Sequence, residues 1–357
     1  MHARYLAVLI LLVIGPTFTS AAQFLIAPET AYYRPWEYFE EIGYKVKGKP
    51  LTWQGVETGD LSRTSILFKQ DARETRVTTT PNGFRSVPHG YGPAQVLFLG
   101  DSLTFGSGLS DDETLPWRVA DLASIGTYNG ARLGGLDCLL GQPRLANVKL
   151  VVEVATERFV TADEVKKRTT CTNAGGQLER EADPLWFRDV PPQRYLYPSR
   201  LLRAAKGLLN DLKGLAKSRS FDALEKPDLH GDPVSDAELD LAVAEIAKIK
   251  EKLASQGLSY VYLAVPSSRT IYGKWIAGDA GMADFHPRLI SKLQAAGVQT
   301  FNVEQVFRQA IASGSPYLYQ PHDTHWAPEG ADVLAHEIAT RLKAGSLALP
   351  AKAAAVD

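Results

Sequence analysis

A serine hydroxyl is a poor nucleophile at neutral pH. It becomes a good one when an imidazole lies beside it to take its proton and a carboxylate fixes the tautomer of that imidazole. This chain offers the three groups in two stretches far apart in number. Ser102 stands in Val96-Leu97-Phe98-Leu99-Gly100-Asp101-Ser102-Leu103-Thr104-Phe105-Gly106. Asp323 and His325 stand together in Tyr319-Gln320-Pro321-His322-Asp323-Thr324-His325-Trp326-Ala327-Pro328-Glu329-Gly330-Ala331. The chemistry they suit is acyl transfer through a covalent serine ester, with His325 as base and then acid and Asp323 as its orienter.

Each group needs an element to hold it. Val96 to Leu99 form an unbroken apolar run between Pro93 and Gly100, the pattern of a strand buried on both faces inside a parallel sheet. A short polar turn follows, then a helix over 114–122, marked by Pro116 near its front and by Asp111, Asp112 and Glu113 ahead of it. Ser102 therefore falls at a strand-to-helix turn. A hydroxyl there emerges at the carboxyl end of a strand, beside backbone N–H groups able to face a developing oxyanion. Asp323 and His325 lie in a loop just before a final helix, so they can reach over the same sheet edge.

The remaining chain reads as alternation. Lys149 to Ala155 is a second buried strand that ends at Thr156-Glu157-Arg158. Ser235-Asp236-Ala237-Glu238 is a capping box opening a helix that runs to Gly257, and a strand over 258–265, a helix over 287–296 and a strand over 298–303 follow. Such alternation predicts a parallel sheet with helices on both faces. We read 93–348 as the main domain, with 159–233 as a long irregular insertion and 349–357 as a disordered tail. Inside the insertion 198–217 has the pattern of an amphipathic helix, basic on one side; it suits a solvated helix covering the sheet or a docking surface. Residues 23–92 are rich in aromatics, glycine and proline, with strand candidates at 63–69 and 75–80 and a turn at Pro81-Asn82-Gly83. They read as an extension packed on the main domain.

The sequence blocks resemble a known family. Gly-Asp-Ser-Leu-Thr-Phe-Gly, directly after a buried strand, is similar to the first block of the GDSL, or SGNH, superfamily of serine esterases and acyltransferases. The resemblance implies a flavodoxin-like three-layer α/β sandwich with a central parallel sheet, here with an N-terminal extension and a helical insertion. It makes Ser102 the nucleophile and its own N–H one oxyanion donor. In that family an asparagine followed five residues later by a glycine supplies the second donor, a spacing matched by Asn129 and Gly134 in Thr127-Tyr128-Asn129-Gly130-Ala131-Arg132-Leu133-Gly134. The Gly-x-Asn-Asp of classical members, which gives a third donor, has no counterpart here.

Other blocks resemble the alginate and related cell-surface polysaccharide O-acetyltransferases. These are the short Asp-Thr-His-Trp spacing running into Pro-Glu-Gly-Ala, the Glu157-Arg158 strand end, and Pro266-Ser267-Ser268-Arg269-Thr270-Ile271-Tyr272. The spacing selects His325, not His322, as the base. In the alginate enzymes the Asp-x-His-Trp block precedes the serine block, whereas here the serine comes first. The resemblance implies a polysaccharide acceptor, an acyl donor delivered by a multi-span membrane acyltransferase, and ligand contacts from Asn129, Arg158, Arg269 and Trp326. For Arg158, pairing with Glu157 or a neighbour is an equal alternative.

Composition narrows the setting. The chain has 357 residues, 45% hydrophobic, with a formal net charge of −1, and no basic stretch interleaved with aromatics that would favour a nucleic-acid partner. His2 and Arg4, the apolar run from Tyr5 to Ile14 and the small residues Ser20-Ala21-Ala22 follow the order of a secretory signal over 1–22. With no charged residue between Arg4 and Glu29, an uncleaved inner-membrane anchor over 5–26 is the competing reading. Both put the body outside the cytoplasm, periplasmic or secreted. There Cys138 and Cys171, the only two cysteines, can form a bridge; two unpaired core thiols are the alternative. No Cys/His cluster has zinc-like spacing, so neither a metal nor a cofactor is expected.

Three functions suit these residues: an extracytoplasmic O-acyltransferase, a carbohydrate or lipid esterase with water as acceptor, and a non-catalytic polysaccharide-binding component using Trp117, Trp275 and Trp326 as stacking surfaces.

Overall fold

The computed structural model describes residues 51–59, 72–80, 84–131, 136–169, 234–276, 284–315, 317–321 and 323–347. The residues read as an N-terminal signal or anchor, the expected amphipathic helix over 198–217, Gly134, Cys171 and the side chain of Cys138 lie outside what it describes, and so does the strand candidate at 63–69.

Its centre is a parallel sheet in the order β4 (Thr127–Asn129), β3 (Val96–Gly100), β5 (Leu150–Thr156), β6 (Ser259–Val265). A parallel bridge from Val261 to Gln299 adds one more position beyond β6. Read in chain order within the sheet this is 2-1-3-4-5, the flavodoxin-like doubly wound arrangement, with its switch point between β3 and β5. Val96↔Leu150 through Gly100↔Val154 set the register of that central pair.

The apolar runs produce this sheet because both of its faces are covered. Along β3, Val96 and Phe98 pack into one core layer, while Leu97 and Leu99 pack into the other, as the two-residue period of a strand requires. The first layer is closed by α2 (Leu115–Ala123), α8 (Val303–Ala312) and α9 (Pro328–Lys343), through Val119, Phe307 and Leu334. The second is closed by α3 (Leu136–Leu140), α4 (Ala162–Thr169), α5 (Asp236–Ser255) and α7 (Phe285–Ala295), through Leu136, Val165, Ile246 and Leu289. The α/β three-layer class expected from the alternation is the one observed.

Two elements differ from the sequence reading. The strand expected over 298–303 is reduced to the Gln299 bridge, because Asn302 caps α8 by accepting from the Gln305 N–H at 3.0 Å and turns the chain into a helix. The block around Tyr128 begins as a true edge strand, β4, paired with β3 from Val96↔Thr127 to Phe98↔Asn129.

Ahead of the sheet, β1 (Thr52–Thr58) and β2 (Ala72–Thr78) form an antiparallel pair running from Thr52↔Thr78 to Thr58↔Ala72. It is stitched to the segment that follows Ser102. The Asp111 carboxylate accepts from the Thr78 N–H at 3.0 Å, the Thr78 hydroxyl at 2.8 Å and Arg85 Nε at 2.7 Å. Asp111 was read as an acid favouring a helix N-terminus. It does open a 3-10 turn, Asp111–Glu113, just ahead of α2, and the structure in addition buries it against an Arg85 whose side chain is wholly enclosed. Among the described residues no helix is long and apolar enough to cross a membrane.

Candidate active site

Ser102 opens α1 (Ser102–Phe105), a single turn placed at the carboxyl end of β3. The bend that lets it do so needs glycine at 100. Gly100 has φ +153°, and a Cβ there would lie 2.1 Å from the Val154 carbonyl oxygen and 2.3 Å from Thr104 Oγ1. Asp101 then fixes the turn from both sides. Its Oδ1 accepts from the Leu103 N–H at 2.8 Å, and its Oδ2 accepts from the Thr156 N–H at 2.9 Å and the Thr156 hydroxyl at 2.6 Å. Ser102 N–H, at the first helical position, has no intrahelical carbonyl to bond.

The second stretch is a narrow loop. Tyr319 and Trp326 form an antiparallel bridge at its base, the Ala327 N–H donates to the Leu318 carbonyl at 2.9 Å, and the Leu318 N–H donates to the Tyr272 hydroxyl at 2.8 Å. Tyr272 lies on α6 (Ser268–Ile276). The Tyr319 hydroxyl donates to the Pro266 carbonyl, just past the end of β6; burial raises that phenol well above its ordinary pKa, so it remains a donor.

This loop hangs His325 over Ser102. His325 Nε2 lies 2.7 Å from Ser102 Oγ, and His325 Nδ1 lies 2.5 Å from Asp323 Oδ1, which also accepts from the His325 backbone N–H at 3.0 Å. An ionised carboxylate only accepts, so Nδ1 carries the imidazole proton and Nε2 accepts from the serine. Asp323 is 3% and His325 6% exposed, while Ser102 is half-buried. Water is thus kept from the Asp–His pair and admitted at the serine. A carbonyl carbon presented to Oγ would meet a hydroxyl whose proton already has a place to go.

The other residues named from the sequence fall out differently. Asn129 is fully buried, its amide nitrogen donating to the Thr104 carbonyl at 3.0 Å and its oxygen accepting from the Ala131 N–H at 3.2 Å. It ties the α1 turn to the β4 loop and offers no surface to a ligand, which corrects its reading as a substrate contact. Trp326 is likewise wholly buried in the core layer beneath α9, so neither ligand contact nor stacking surface is available from it. Arg158, just past β5, is half-buried with its guanidinium 4.8 Å from the Phe159 ring centre. Its Nε finds no hydrogen-bond partner, the Glu157 carboxylate bonds to Ser267, Thr270 and His286, and the group that Arg158 meets is its neighbour Phe159. Arg269 is half-buried on the first turn of α6, past the end of β6.

Glu157 has other partners. Its Oε1 accepts from the Ser267 N–H at 2.9 Å and the Thr270 hydroxyl at 2.6 Å, and its Oε2 meets His286 Nε2 at 2.8 Å. Burial by itself would raise this carboxyl, but the bonds from His286, Ser267 and Thr270 together hold it below the ordinary carboxylate range. Glu157 therefore braces the ends of β5 and β6 and the start of α7, next to the serine strand. The sequence marked Glu157 only as half of an acid-base pair, and nothing local to His286 pointed to it. Among the described residues no group of His, Cys, Asp and Glu could hold a metal ion.

An α/β doubly wound sheet with a serine at the end of its first strand and an Asp-x-His loop over it is an arrangement suited to acyl transfer through a serine ester. Comparison with known proteins narrows the kind. Residues 225–356, which contain Asp323 and His325 but not Ser102, match the family model described as the SGNH hydrolase-like domain of the acetyltransferase AlgX. The relative named "Probable alginate O-acetylase AlgJ" from Azotobacter vinelandii is 31% identical over 104 residues, 28% of this chain and 26% of that protein. The match thus spans about a quarter of that relative's length. Among solved structures, a candidate SGNH hydrolase from Slackia heliotrinireducens is 15% identical, with a TM-score of 0.35, covering 70% of this chain and all of that one. An alpha/beta hydrolase enzyme from the metagenome of Lake Arreo, Spain, is 14% identical with a TM-score of 0.37, covering 72% of this chain and 98% of its own. The chain is thus similar over 225–356 to the SGNH hydrolase-like domain of AlgX, and over 104 residues to AlgJ.

Proposed function

We propose that this protein is an extracytoplasmic O-acetyltransferase that moves an acetyl group onto a hydroxyl of a cell-surface or secreted polysaccharide. The observation that carries this reading is the unbroken series Ser102 Oγ, His325 Nε2, His325 Nδ1, Asp323 Oδ1, with separations of 2.7 and 2.5 Å at its two bonds. Ser102 Oγ attacks the donor's carbonyl carbon while its proton passes to His325 Nε2; the imidazolium formed is held by Asp323. The tetrahedral oxyanion is met by the Ser102 N–H, with Gly134 as the second donor expected from its spacing after Asn129. Collapse gives the proton from Nε2 to the leaving group and leaves acetyl-Ser102. A sugar hydroxyl then gives its proton to Nε2, attacks the ester carbonyl and carries off the acetyl group, restoring the serine.

The same steps with water in place of the sugar make an esterase, so the acceptor is what the assay must decide. The similarity to the AlgX domain and to AlgJ favours the sugar. The order of residues 1–22 favours export, and a multi-span membrane acyltransferase is the donor's expected source. The test supplies purified protein with p-nitrophenyl acetate and an oligosaccharide. Transfer expects nitrophenol release that requires Ser102 and acetyl esters on the sugar that form faster than acetate. Acetate as the sole product would make the protein an esterase, and release indifferent to Ser102 would remove both readings.

A further inference from the structure

The β1–β2 hairpin lies outside the sheet that carries Ser102, yet its hydrogen bonds converge on the segment that touches the Asp-x-His loop. Arg73 on β2 donates from Nη1 to the Gly108 carbonyl at 3.0 Å and pairs with Glu113 through Nη2. Arg85, just beyond β2, donates to the Leu109 carbonyl at 2.7 Å and the Gly106 carbonyl at 3.3 Å. The Gly108 oxygen has a second donor, Gln320 Nε2, at 3.2 Å. The same Nε2 donates to the Trp326 carbonyl at 3.1 Å, and the Gln320 backbone N–H donates to the His325 carbonyl at 3.2 Å. One carbonyl oxygen thus joins the hairpin to the side chain that closes the His325 loop. Gly108 itself has φ +80°, and a Cβ on it would lie 2.7 Å from Gln320 Nε2 and 3.7 Å from Asp323 Oδ2. The segment therefore lies against the rear of the Asp–His pair.

From this we propose that the hairpin is an active-site positioning module, and that Arg73 is a positioning residue acting through Gly108 O and Gln320 on the orientation of His325. The inference rests on the reading of Ser102, His325 and Asp323 as a working triad. Arg73 fixes where the Gly108 carbonyl points; that carbonyl fixes the Gln320 amide; and the amide sets the loop that holds the imbidazole ring against Ser102 Oγ. A displacement near 1 Å at reacting groups can cost about a hundred-fold in rate, so a brace two bonds removed can matter without touching substrate.

Arg85 is too enclosed for a clean test, whereas the Arg73 side chain is 27% exposed. The experiment compares the full chain with Arg73→Met, Arg73→Lys, Gln320→Leu and the double variant Arg73→Met/Gln320→Leu, using p-nitrophenyl acetate, with rates per site titrated by a phosphonate inhibitor. Positioning expects kcat per titrated site to fall roughly ten- to a hundred-fold in Arg73→Met at nearly constant KM. Arg73→Lys should recover part of the loss by donating to one carbonyl, and the double variant should cost no more than the worse single one, since both act on one oxygen. The downfield proton signal of the His325 Nδ1–H should shift in Arg73→Met and return in Arg73→Lys. Unchanged kcat per site in Arg73→Met and Gln320→Leu, or losses that simply multiply, would overturn the proposal while leaving Ser102-dependent turnover intact. Wild-type turnover no greater than that of Ser102→Ala would bring down the triad reading, and this inference with it.

Discussion

At Ser102 the question is where one proton goes. The hydroxyl faces a ring nitrogen at 2.7 Å, and the ring's other nitrogen faces a carboxylate at 2.5 Å, so proton transfer needs no rearrangement of heavy atoms. Asp323→Asn keeps the shape and reverses the tautomer preference; kcat for an activated acetyl ester should then fall by about four orders of magnitude. A drop of less than about tenfold would mean that His325 is oriented by something other than Asp323. His325→Ala and Ser102→Ala, combined, should cost little more than either alone, because groups that act as a unit are lost as a unit. The three side chains that the structure brings together, Ser102, His325 and Asp323, were named in the sequence because each is set by type and spacing. Asp101 was not, since its bonds to Thr156 cross from one strand end to another and leave no local trace.

At the scale of elements, the strand ends do the positioning. Glu157 joins β5, β6 and α7 through three donors while buried. A carboxyl whose folded pKa is depressed contributes stability that is complete above its unfolded value and is lost as pH falls through the folded one. The wild type should therefore lose stability progressively as the pH drops below the ordinary carboxylate value of 4.5. Glu157→Gln should be less stable by about 1–3 kcal/mol at pH 7, with a flatter acid side. Denaturant midpoints at pH 7 and pH 4 check this; equal midpoint losses for both proteins on acidification would show that Glu157 is not the sensitive group. Gly108→Ala is the loop counterpart. Its Cβ would press on Gln320 at a backbone angle that disfavours side chains, and kcat should fall with little change in overall fold, read by activity beside circular dichroism.

The same scale explains where the sequence misled. Long apolar runs named β3, β5 and β6, because strands buried on both faces have nothing else to be. β4 is three residues long and ends on a buried asparagine, so it carried no such run. β1 alternates exposed and half-buried positions around Gly55, with few apolar residues to announce a strand. Asp111 fits a helix start by composition; only its partner Arg85, held by folding, shows that it is a buried anchor. Capping at Asn302 outweighed the strand propensity of 298–303.

For the whole molecule, the sheet, the hairpin and the Asp-x-His loop make one device with a dry Asp–His pair and a serine open at the rim. The order of blocks, serine first and Asp-x-His last, is what a sheet that starts with the Ser102 strand and closes with the loop before α9 produces. In the transferase reading, an oligosaccharide acceptor should divert most acetyl from water. Mass spectrometry of the sugar beside a count of released acetate reads that division. Dominance of acetate at every acceptor concentration would assign the site to hydrolysis.

The measurement closest to the central claim is the turnover of p-nitrophenyl acetate by Ser102→Ala against the wild type, with folding verified in both. If Ser102 is the nucleophile of a working triad, kcat should fall by something on the order of a million-fold. An unaffected rate would contradict it.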